Sequence, residues 1–229
     1  MKITIDGEIM GKFIVIDGLD GSGKGTQTDI LVESLKKEGK RVRTLSFPIY
    51  ENDSSLFVRM YLDGKLGKNP SDTNAFVASM FFACDRYISY KTDWLNDIND
   101  PDTYVVANRY TSANAVHQLS KLPREEWDDF LKWLWDFEFS KIGLPVPDLT
   151  LYLELPPVLS LSLVRSRSQE TGRKMDIHEL DTSYMEKCYD AALFSCESLN
   201  WKRIKCYNDG QIRTIDDIAQ EILQEVAKL

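Results

Sequence analysis

Residues 13–27 read FIVIDGLDGSGKGTQ, and this stretch sets the interpretation of the whole chain. Its first four residues are apolar and predict a buried strand. A glycine-rich turn follows, and residues 28–37 then carry Ile30, Leu31 and Leu35 at helical spacing. A strand, a glycine-rich turn and a helix in this order are typical of a loop that binds phosphate.

The composition of this loop explains how it would bind an anion. Glycines let backbone N–H groups turn inward because no Cβ blocks the approach, and the following helix points its positive end at the same anion. Lys24 adds a mobile positive charge. The usual pattern has Ser or Thr directly after the lysine, whereas here Gly25 intervenes before Thr26. The residues expected to hold phosphate are Gly18, Leu19, Asp20, Gly21, Ser22, Gly23, Lys24, Gly25 and Thr26. A loop that only turns the chain is the alternative.

Composition and charge argue against several classes of protein. The chain has 229 residues, 43% of them hydrophobic, and a net charge of -8. That charge disfavours nucleic acid as the main partner, although a local basic pocket can still bind a small phosphorylated ligand. No apolar run is long enough to span a membrane, and the start of the chain lacks the apolar core of a signal peptide. The four cysteines form no C-x-x-C pair, so we expect free thiols and a cytoplasmic protein without a membrane partner.

Strands and helices alternate along the remaining chain. Further strands are predicted at 42–47, 104–107, 149–155 and 203–207. Helices are predicted at 54–62, from Ser71 as N-cap to position 95, at 111–119, at 125–142, from 156 into a charged segment, at 184–199 and at 215–229. Ile3 and Ile5 suggest a short edge strand before the loop. This order predicts an α/β fold with a central five-stranded parallel sheet flanked by helices, in a single domain 1–229.

Ligands of such sheets bind beyond the carboxyl ends of the strands. Residues at those ends include Asp17, Asp20, Phe47, Pro48, Asn108, Arg109 and Glu154. Arg109 is expected beside the phosphate loop, and Arg86 lies within a predicted helix. A guanidinium group matches a phosphate or a base carbonyl. The cluster Arg165, Arg167, Arg173 and Lys174 is either a solvated charged turn or a lid that closes on a nucleotide.

The chain resembles the thymidylate kinases, within the P-loop nucleoside monophosphate kinases. The resemblance is carried by DGLDGSGKGTQ at 17–27, FP at 47–48, FFACDRY at 81–87, NRYTSANAVHQ at 108–118, GLPVPDLTLYLEL at 143–155 and the basic segment before DIHELD at 176–181. It implies a three-layer P-loop kinase fold with a short basic lid at about 165–176. The implied reaction transfers the γ-phosphoryl group of ATP to dTMP, with Mg²⁺, and gives dTDP and ADP.

The resemblance also implies roles for individual residues. Gly18 to Thr26 would hold the ATP phosphates, and Lys24 would follow the transferred group. Asp20 would approach the 3′-hydroxyl of the acceptor and the metal shell. Because Ser22 stands in the loop where some members have arginine, the transition-state arginine would come from the lid, as Arg165, Arg167 or Arg173.

The acceptor nucleotide is implied to lie against residues from several segments. Phe82 would stack on thymine, Arg86 would donate to its O4, and Arg109 would hold the acceptor phosphate. The other residues implied to contact this substrate are Phe47, Pro48, Asn114, His117 and Gln118. Asn114 and Gln118 would read the base edge, and His117 would either crowd the 2′ position or only fill space.

Three positions depart from the pattern of the family. Asn108 replaces an aspartate near magnesium and lacks the charge that attracts the water shell of the metal. Mg²⁺ is therefore expected near Thr26 and Asn108 without an assigned ligand. Tyr50 replaces an arginine, and Ala113 replaces a serine that appears one place early as Ser112. Asn108 is consistent with a weakened or specialised enzyme, or with an engineered change.

Two alternative functions remain open at the level of sequence. The first is a kinase for another nucleoside monophosphate, because the wording of the loop does not distinguish thymidylate from adenylate kinases. The second is a nucleotide switch or a non-catalytic binding protein, although no N-K-x-D motif is present to read guanine. The resemblance also implies a homodimer, for which the apolar face around Phe76, Met80 and Phe81 is a candidate; that face is equally consistent with core.

Overall fold

The computed structural model describes residues 10–161, 163–164 and 182–229. The edge strand expected at Ile3 and Ile5 and the lid expected at about 165–176 both lie outside these residues.

Five parallel strands form the central sheet, in the order β2-β3-β1-β4-β5. They are β1 (Lys12–Gly18), β2 (Arg41–Ser46), β3 (Thr103–Asn108), β4 (Leu149–Glu154) and β5 (Lys202–Lys205). The chain adds strands on one side of β1 and then on the other, so the direction of winding reverses between β3 and β4. A crevice for a ligand opens at such a reversal, beyond the carboxyl ends of the strands. The predicted fold class is confirmed.

Helices cover both faces of the sheet. They are α1 (Lys24–Lys37), α2 (Leu56–Leu62), α3 (Ala75–Ser89), α4 (Leu95–Asn99), α5 (Thr111–His117), α6 (Trp127–Trp135), α7 (157–161 and 163–164), α8 (Thr182–Ser198) and α9 (Ile215–Val226). Side chains of β1 alternate between the two faces because the strand has a period of two. Ile14 and Ile16 pack in the cluster that contains residues of α1 and α9, whereas Phe13 and Val15 pack with Trp94 on the other face.

Several boundaries differ from those predicted. Ser71 is not the N-cap of α3; Asn74 is, and its side chain accepts a hydrogen bond from the Phe76 amide at 2.8 Å. The helix predicted at 125–142 is a short 3₁₀ turn, α6 and then a π-helical segment, Asp136–Lys141. A second π-helical segment, Tyr90–Trp94, follows α3. A propensity pattern does not reveal such changes of hydrogen-bond register, since they depend on tertiary packing.

Among the described residues, no helix combines the length and the apolar content needed to cross a membrane.

The acidic residue at the end of β4 has a structural contact. Glu154 is nearly fully buried and is bound by Arg203 of β5 through Nε at 2.9 Å and Nη2 at 2.8 Å. Its carboxylate therefore joins two strands.

Candidate active site

The phosphate loop connects β1 to α1 and needs glycine at specific points. Gly21 has φ of 86°, and a Cβ there would overlap the backbone oxygen of Ser160. Gly23 has φ of 85° and caps the N-terminus of α1. Both conformations are easily adopted by glycine and by few other residues. Lys24 opens the helix, and its Nζ donates to the Leu19 carbonyl at 2.9 Å.

A cluster of opposite charges lies beside the loop. Asp20 Oδ1 is 3.7 Å from Lys24 Nζ and accepts a hydrogen bond from Arg109 Nη2. Burial by itself raises the pKa of Asp20, but the charges of Arg109 and Lys24 outweigh it and hold that pKa well below its ordinary value. Asp20 is therefore ionised at neutral pH, and its charge holds the Lys24 and Arg109 side chains at the same cavity.

His117 supports Arg109 from the side of α5. Its Nε2 lies 3.2 Å from Arg109 Nη1. Because a guanidinium group only donates, Nε2 accepts and the ring proton sits on Nδ1. Nδ1 faces Cys188 Sγ at 3.6 Å, and the Tyr184 hydroxyl donates to the His117 carbonyl at 2.5 Å. The ring is nearly fully buried, so it packs against Arg109 as well as lining the site.

One cavity of about 590 Å³ joins the loop to the acceptor residues expected from the sequence. Among the predicted site residues, those that line it are Asp20, Gly21, Gly23, Lys24, Gly25, Thr26, Phe47, Pro48, Phe82, Arg86, Asn108, Arg109, Asn114, His117 and Gln118. Gly18, Leu19 and Ser22 are buried next to this cavity, as part of the same loop. Arg165, Arg167 and Arg173 lie outside the described residues.

The helix α3 contributes an aromatic ring and buried polar groups to the cavity wall. Phe82 meets the ring of Tyr61 edge-on, with centroids 6.1 Å apart. Arg86 is 1% exposed and forms a bidentate pair with Glu138, which sequence reasoning missed. The available signal was a single carboxylate between Phe137 and Phe139 in an otherwise aromatic stripe.

Asp85 is a second acidic residue of the cavity wall whose contacts sequence reasoning missed. It is nearly fully buried in α3, and its carboxylate accepts from the Ile49 amide at 2.9 Å and from the Ser54 hydroxyl at 2.6 Å. These contacts fix the turn after β2, which contains the cis peptide bond between Phe47 and Pro48. The acid is visible in the FFACDRY stretch, but its partners are 31 and 36 residues away.

The three departures from the family pattern occupy different positions. Ser112 does not face the cavity with Ala113; its hydroxyl donates to Asp17 at 2.5 Å beneath the loop. Tyr50 lines the cavity and is 49% exposed. Asn108 Nδ2 is 3.5 Å from Ser46 Oγ, and its buried Oδ1 accepts no hydrogen bond from the described part of the chain.

Oxygen donors at the loop end of the cavity suit a magnesium ion. Thr26 offers a hydroxyl and Asn108 offers the carbonyl oxygen that lacks a partner. In the ranges that the structure describes, no three His, Cys, Asp or Glu side chains converge as a metal cage. Magnesium in kinases keeps several waters and binds nucleotide phosphates with few protein ligands, so these residues fit the ion.

Comparisons with known proteins give one consistent family. The family model described as Thymidylate kinase matches residues 16–209. The chain is 28% identical to the thymidylate kinase of Mycobacterium tuberculosis over 176 residues, which cover 76% of this chain and 80% of the relative. It is 27% identical to the thymidylate kinase of Plasmodium falciparum over 227 residues, covering 98% and 93% of the two chains. A solved structure of thymidylate kinase from Candida albicans matches with a TM-score of 0.68 and 19% identity, over 96% of this chain and 92% of that one, which shows the shared fold.

Proposed function

This chain belongs to the thymidylate kinase family, and from that membership we propose that it transfers the γ-phosphoryl group of ATP to the 5′-phosphate of dTMP, releasing dTDP and ADP. Family membership makes it a nucleoside monophosphate kinase, a phosphotransferase. The observation that carries the proposal is a cavity of about 590 Å³ that is lined both by the phosphate loop and by Phe82 with Arg86. A nucleotide held by the loop and a second one held against Phe82 and Arg86 can bring their phosphates together in line within this one cavity.

The loop is proposed to bind ATP. Its backbone N–H groups and the N-terminus of α1 surround the phosphates, as described for residues 18–26 above. Lys24 already lies at the cavity, held by the Leu19 carbonyl at 2.9 Å, and exchanges that weak partner for a phosphoryl oxygen. Phosphoryl transfer needs positioning and positive charge around the transferred oxygens far more than it needs covalent chemistry from the protein.

The acceptor is proposed to lie across α3 and α5. Arg109, held by Asp20 and His117, binds its phosphate. Phe82 stacks on the base, while Arg86 and Asn114 meet its polar edge. Phe47, Pro48 and Gln118 line the same cavity and complete the contact surface.

Magnesium and the lid complete the proposed machinery. Thr26 and Asn108 are the residues that would hold the ion with the nucleotide, where it supplies positive charge to the phosphate oxygens. We propose that residues 165–176 form a lid of the single domain 1–229, and that Arg165, Arg167 or Arg173 supplies the arginine at the transferred phosphoryl group. Closure of such a lid excludes water from the reaction.

The test is a panel of acceptors with ATP and magnesium, in which ADP release is measured for dTMP, dUMP, dGMP, dCMP and AMP. We expect kcat/KM for dTMP to exceed that for dCMP by about 100-fold or more, because buried groups that match one base edge are left unpaired by another.

Lys24→Met should remove at least about 99% of the turnover while dTMP still binds, since the lysine acts on the transferred group.

The outcomes separate the candidate functions. A preference for another monophosphate would retain the phosphate chemistry and reject the base assignment. Binding of dTMP without ADP release under any condition would reject the kinase and support a binding protein.

We also propose a homodimer in a reducing, cytoplasmic setting. Support for the setting comes from Cys84, Cys188, Cys196 and Cys206, all of which are free thiols. Support for the dimer comes from the exposed apolar face of α3, where Met80 is 47% exposed. Phe76 does not belong to that face, because its ring packs on Phe130 and Trp133 at 5.3 Å and 4.6 Å.

A further inference from the structure

A buried carboxylate organises the end of the cavity that receives the base. Glu138 is fully buried and accepts hydrogen bonds from Arg86 Nε at 2.9 Å, Arg86 Nη2 at 2.5 Å, Thr111 Oγ1 at 2.7 Å and Asn114 Nδ2 at 2.9 Å. It lies in the π-helical segment Asp136–Lys141, an irregularity that is frequent at functional sites. All four of these N–H and O–H groups, from three residues, donate to the carboxylate oxygens, which act as acceptors.

The contact with Glu138 determines which atom Asn114 can offer to a ligand. Its Nδ2 donates to Glu138 Oε1 at 2.9 Å and to the Ser79 carbonyl at 3.2 Å. Both partners are pure acceptors, so they identify the amide nitrogen and use both of its protons. Asn114 lines the cavity, and its Oδ1 accepts no hydrogen bond from the described residues. The side chain therefore presents an acceptor.

Arg86 is constrained in the complementary sense. Its Nε and Nη2 edge is occupied by Glu138, and Nη1 donates to the Tyr110 carbonyl at 3.3 Å. Three of the five guanidinium protons are thus used, and the remaining ones are donors at a cavity wall. The ion pair with Glu138 cancels the charge locally, so Arg86 is suited to a neutral carbonyl more than to a phosphate.

We infer that Glu138 fixes which hydrogen-bonding groups the cavity wall presents to the base, namely a donor from Arg86 beside an acceptor from Asn114. This inference rests on the proposed function. Thymine and uracil present a carbonyl acceptor at O4 and a donor at N3, whereas cytosine presents an amino donor at position 4 and an acceptor at N3. The wall set by Glu138 matches the first pair and opposes cytosine. Glu138 is a positioning residue, since it acts through Arg86 and Asn114.

The test is Glu138→Gln assayed with dTMP and 5-methyl-dCMP, which share the 5-methyl group and differ only along the edge being read. Glutamine keeps one acceptor and gains one donor. In one orientation the new NH₂ group faces Arg86 Nη2 and Asn114, whose amide must then turn over; in the other it faces Arg86 Nε and displaces the guanidinium. Either result weakens the match to thymine, so the kcat/KM ratio of dTMP to 5-methyl-dCMP should fall by about tenfold or more, through KM for the monophosphate.

Matched measurements exclude a general loss of structure. KM for ATP should stay within about twofold of wild type, because the hydrogen-bond partners of Glu138 are Arg86, Thr111 and Asn114 and none of them belongs to the loop. Asp136→Asn removes a carboxylate from the same π-helical segment, but from a side chain that is 55% exposed and paired with Lys141, so it should leave the base ratio within about twofold.

Each outcome decides between the inference and the proposed function. A wild-type enzyme that turns over dTMP without preferring it to 5-methyl-dCMP would overturn the inference and leave the proposed transfer to dTMP intact, whereas a wild type without turnover of dTMP would reject the proposed function. A wild-type preference that Glu138→Gln leaves unchanged would overturn the inference and leave the function intact. If Glu138→Gln does not fold, Glu138→Asp replaces it: both acceptors remain but lie one methylene further back, so KM for dTMP should rise about fivefold with the base ratio kept within about threefold. An unchanged KM for dTMP would then overturn the inference.

Discussion

Arg109 has a left-handed backbone conformation, which is unusual for a residue other than glycine. It has φ of 66°, a left-handed value that costs a non-glycine residue roughly 1 kcal/mol. Its amide donates to the Ile16 carbonyl at 2.9 Å, which continues the pairing of β3 with β1 by one residue, and its guanidinium binds Asp20. The strain is offset by contacts that aim the side chain into the cavity, as is common at functional sites.

The prediction at Asn108 is that replacing it by aspartate lets the enzyme work at lower magnesium concentrations. Asn108→Asp places a carboxylate where the buried Oδ1 now lacks a partner, and a carboxylate attracts the hydrated ion more strongly than an amide. We expect the magnesium concentration that gives half the maximal rate to fall by about threefold or more. It is measured by titrating MgCl₂ at saturating ATP and dTMP.

The control for this prediction is Ser46→Ala, which removes the hydroxyl 3.5 Å from Asn108 Nδ2 without adding charge. An unchanged magnesium response in Asn108→Asp would show that this position does not face the ion.

Residues whose position depends on local sequence could be placed at the cavity from the sequence, whereas contacts between residues distant in the chain could not be predicted. The loop glycines, Lys24 and Arg109 follow from their place after a strand. Glu138 meets Arg86 across 52 residues of chain, and only the folded arrangement shows that the two side chains are paired. For the same reason the neutralisation of Arg86 was not visible in the FFACDRY stretch.

At the scale of elements, α3 holds the turn after β2, and Asp85 is the contact that does so. Asp85→Ala leaves the Ile49 amide and the Ser54 hydroxyl without their acceptor in a nearly fully buried site. We expect the free energy of unfolding to fall by about 2–3 kcal/mol, because stranded buried polar groups lose their compensation. Urea unfolding measures this, and KM for dTMP should rise because the turn lines the cavity.

Asp93→Ala is the matched control for Asp85→Ala. Asp93 is in the π-helical segment after α3, is 44% exposed, and pairs with Arg43 at the surface, so its loss should cost under about 1 kcal/mol. Equal losses in the two variants would contradict the proposed anchoring role of Asp85.

Lys121 gives a prediction about the pH dependence of stability. Burial lowers its pKa from 10.5 to about 7, while its Nζ donates to the Tyr61 hydroxyl at 2.9 Å and the Thr73 carbonyl at 3.2 Å. Between these values the unfolded chain binds the proton and the folded chain does not, so this group makes stability rise with pH from about pH 7. Its contribution to the slope approaches about 1 kcal/mol per pH unit.

Lys121→Met should remove that contribution, so the variant should gain less stability than the wild type between about pH 7 and pH 8.5. Urea unfolding at the two pH values measures the difference. The window ends there because burial raises the pKa of Cys188 to about 12, and this thiol makes stability fall with pH above its ordinary value of 9.0. Identical slopes in the two proteins would show that Lys121 stays protonated in the folded state.

The position of elements was easier to predict than their internal register. The five strands follow from apolar runs, and their parallel order follows from the helices between them. The π-helical segments Tyr90–Trp94 and Asp136–Lys141 have no local signature, because the helix hydrogen bonds change register there within stretches whose apolar spacing is still helical. The second of these segments carries Glu138.

At the scale of the whole molecule, one cavity unites residues from the loop, the turn after β2, α3 and α5. Each segment contributes little alone, and the reversal of strand order between β3 and β4 brings them to one edge. The sequence could predict this edge. It could not predict which apolar helical face stays exposed, because Phe76 and Met80 are alike in character and only packing separates them.

The exposed face of α3 yields the last prediction. Val77, Met80 and Ile88 are 42%, 47% and 45% exposed, at spacings that align them on one side of the helix. Phe57 of α2 extends this face by stacking on Phe81, with ring centroids 5.7 Å apart. Exposed apolar side chains grouped in this way are typical of protein–protein interfaces. If two copies pair through it, light scattering at micromolar concentration should give twice the chain mass of 26.3 kDa.

Met80→Glu should return the protein to the mass of one chain, because a charge buried among apolar side chains costs about 3 kcal/mol or more, roughly 100-fold in the dissociation constant. Ile215→Glu is the control, since Ile215 is 55% exposed at the start of α9, where an acidic residue suits the helix N-terminus. This control variant should keep twice the mass of one chain.

A wild type with the mass of one chain would reject the dimer, whereas a dimer that survives Met80→Glu would place the interface on another surface. Because α3 also carries Arg86 and Asp85, a true interface here would stabilise the acceptor end of the cavity, so Met80→Glu should also raise KM for dTMP more than KM for ATP.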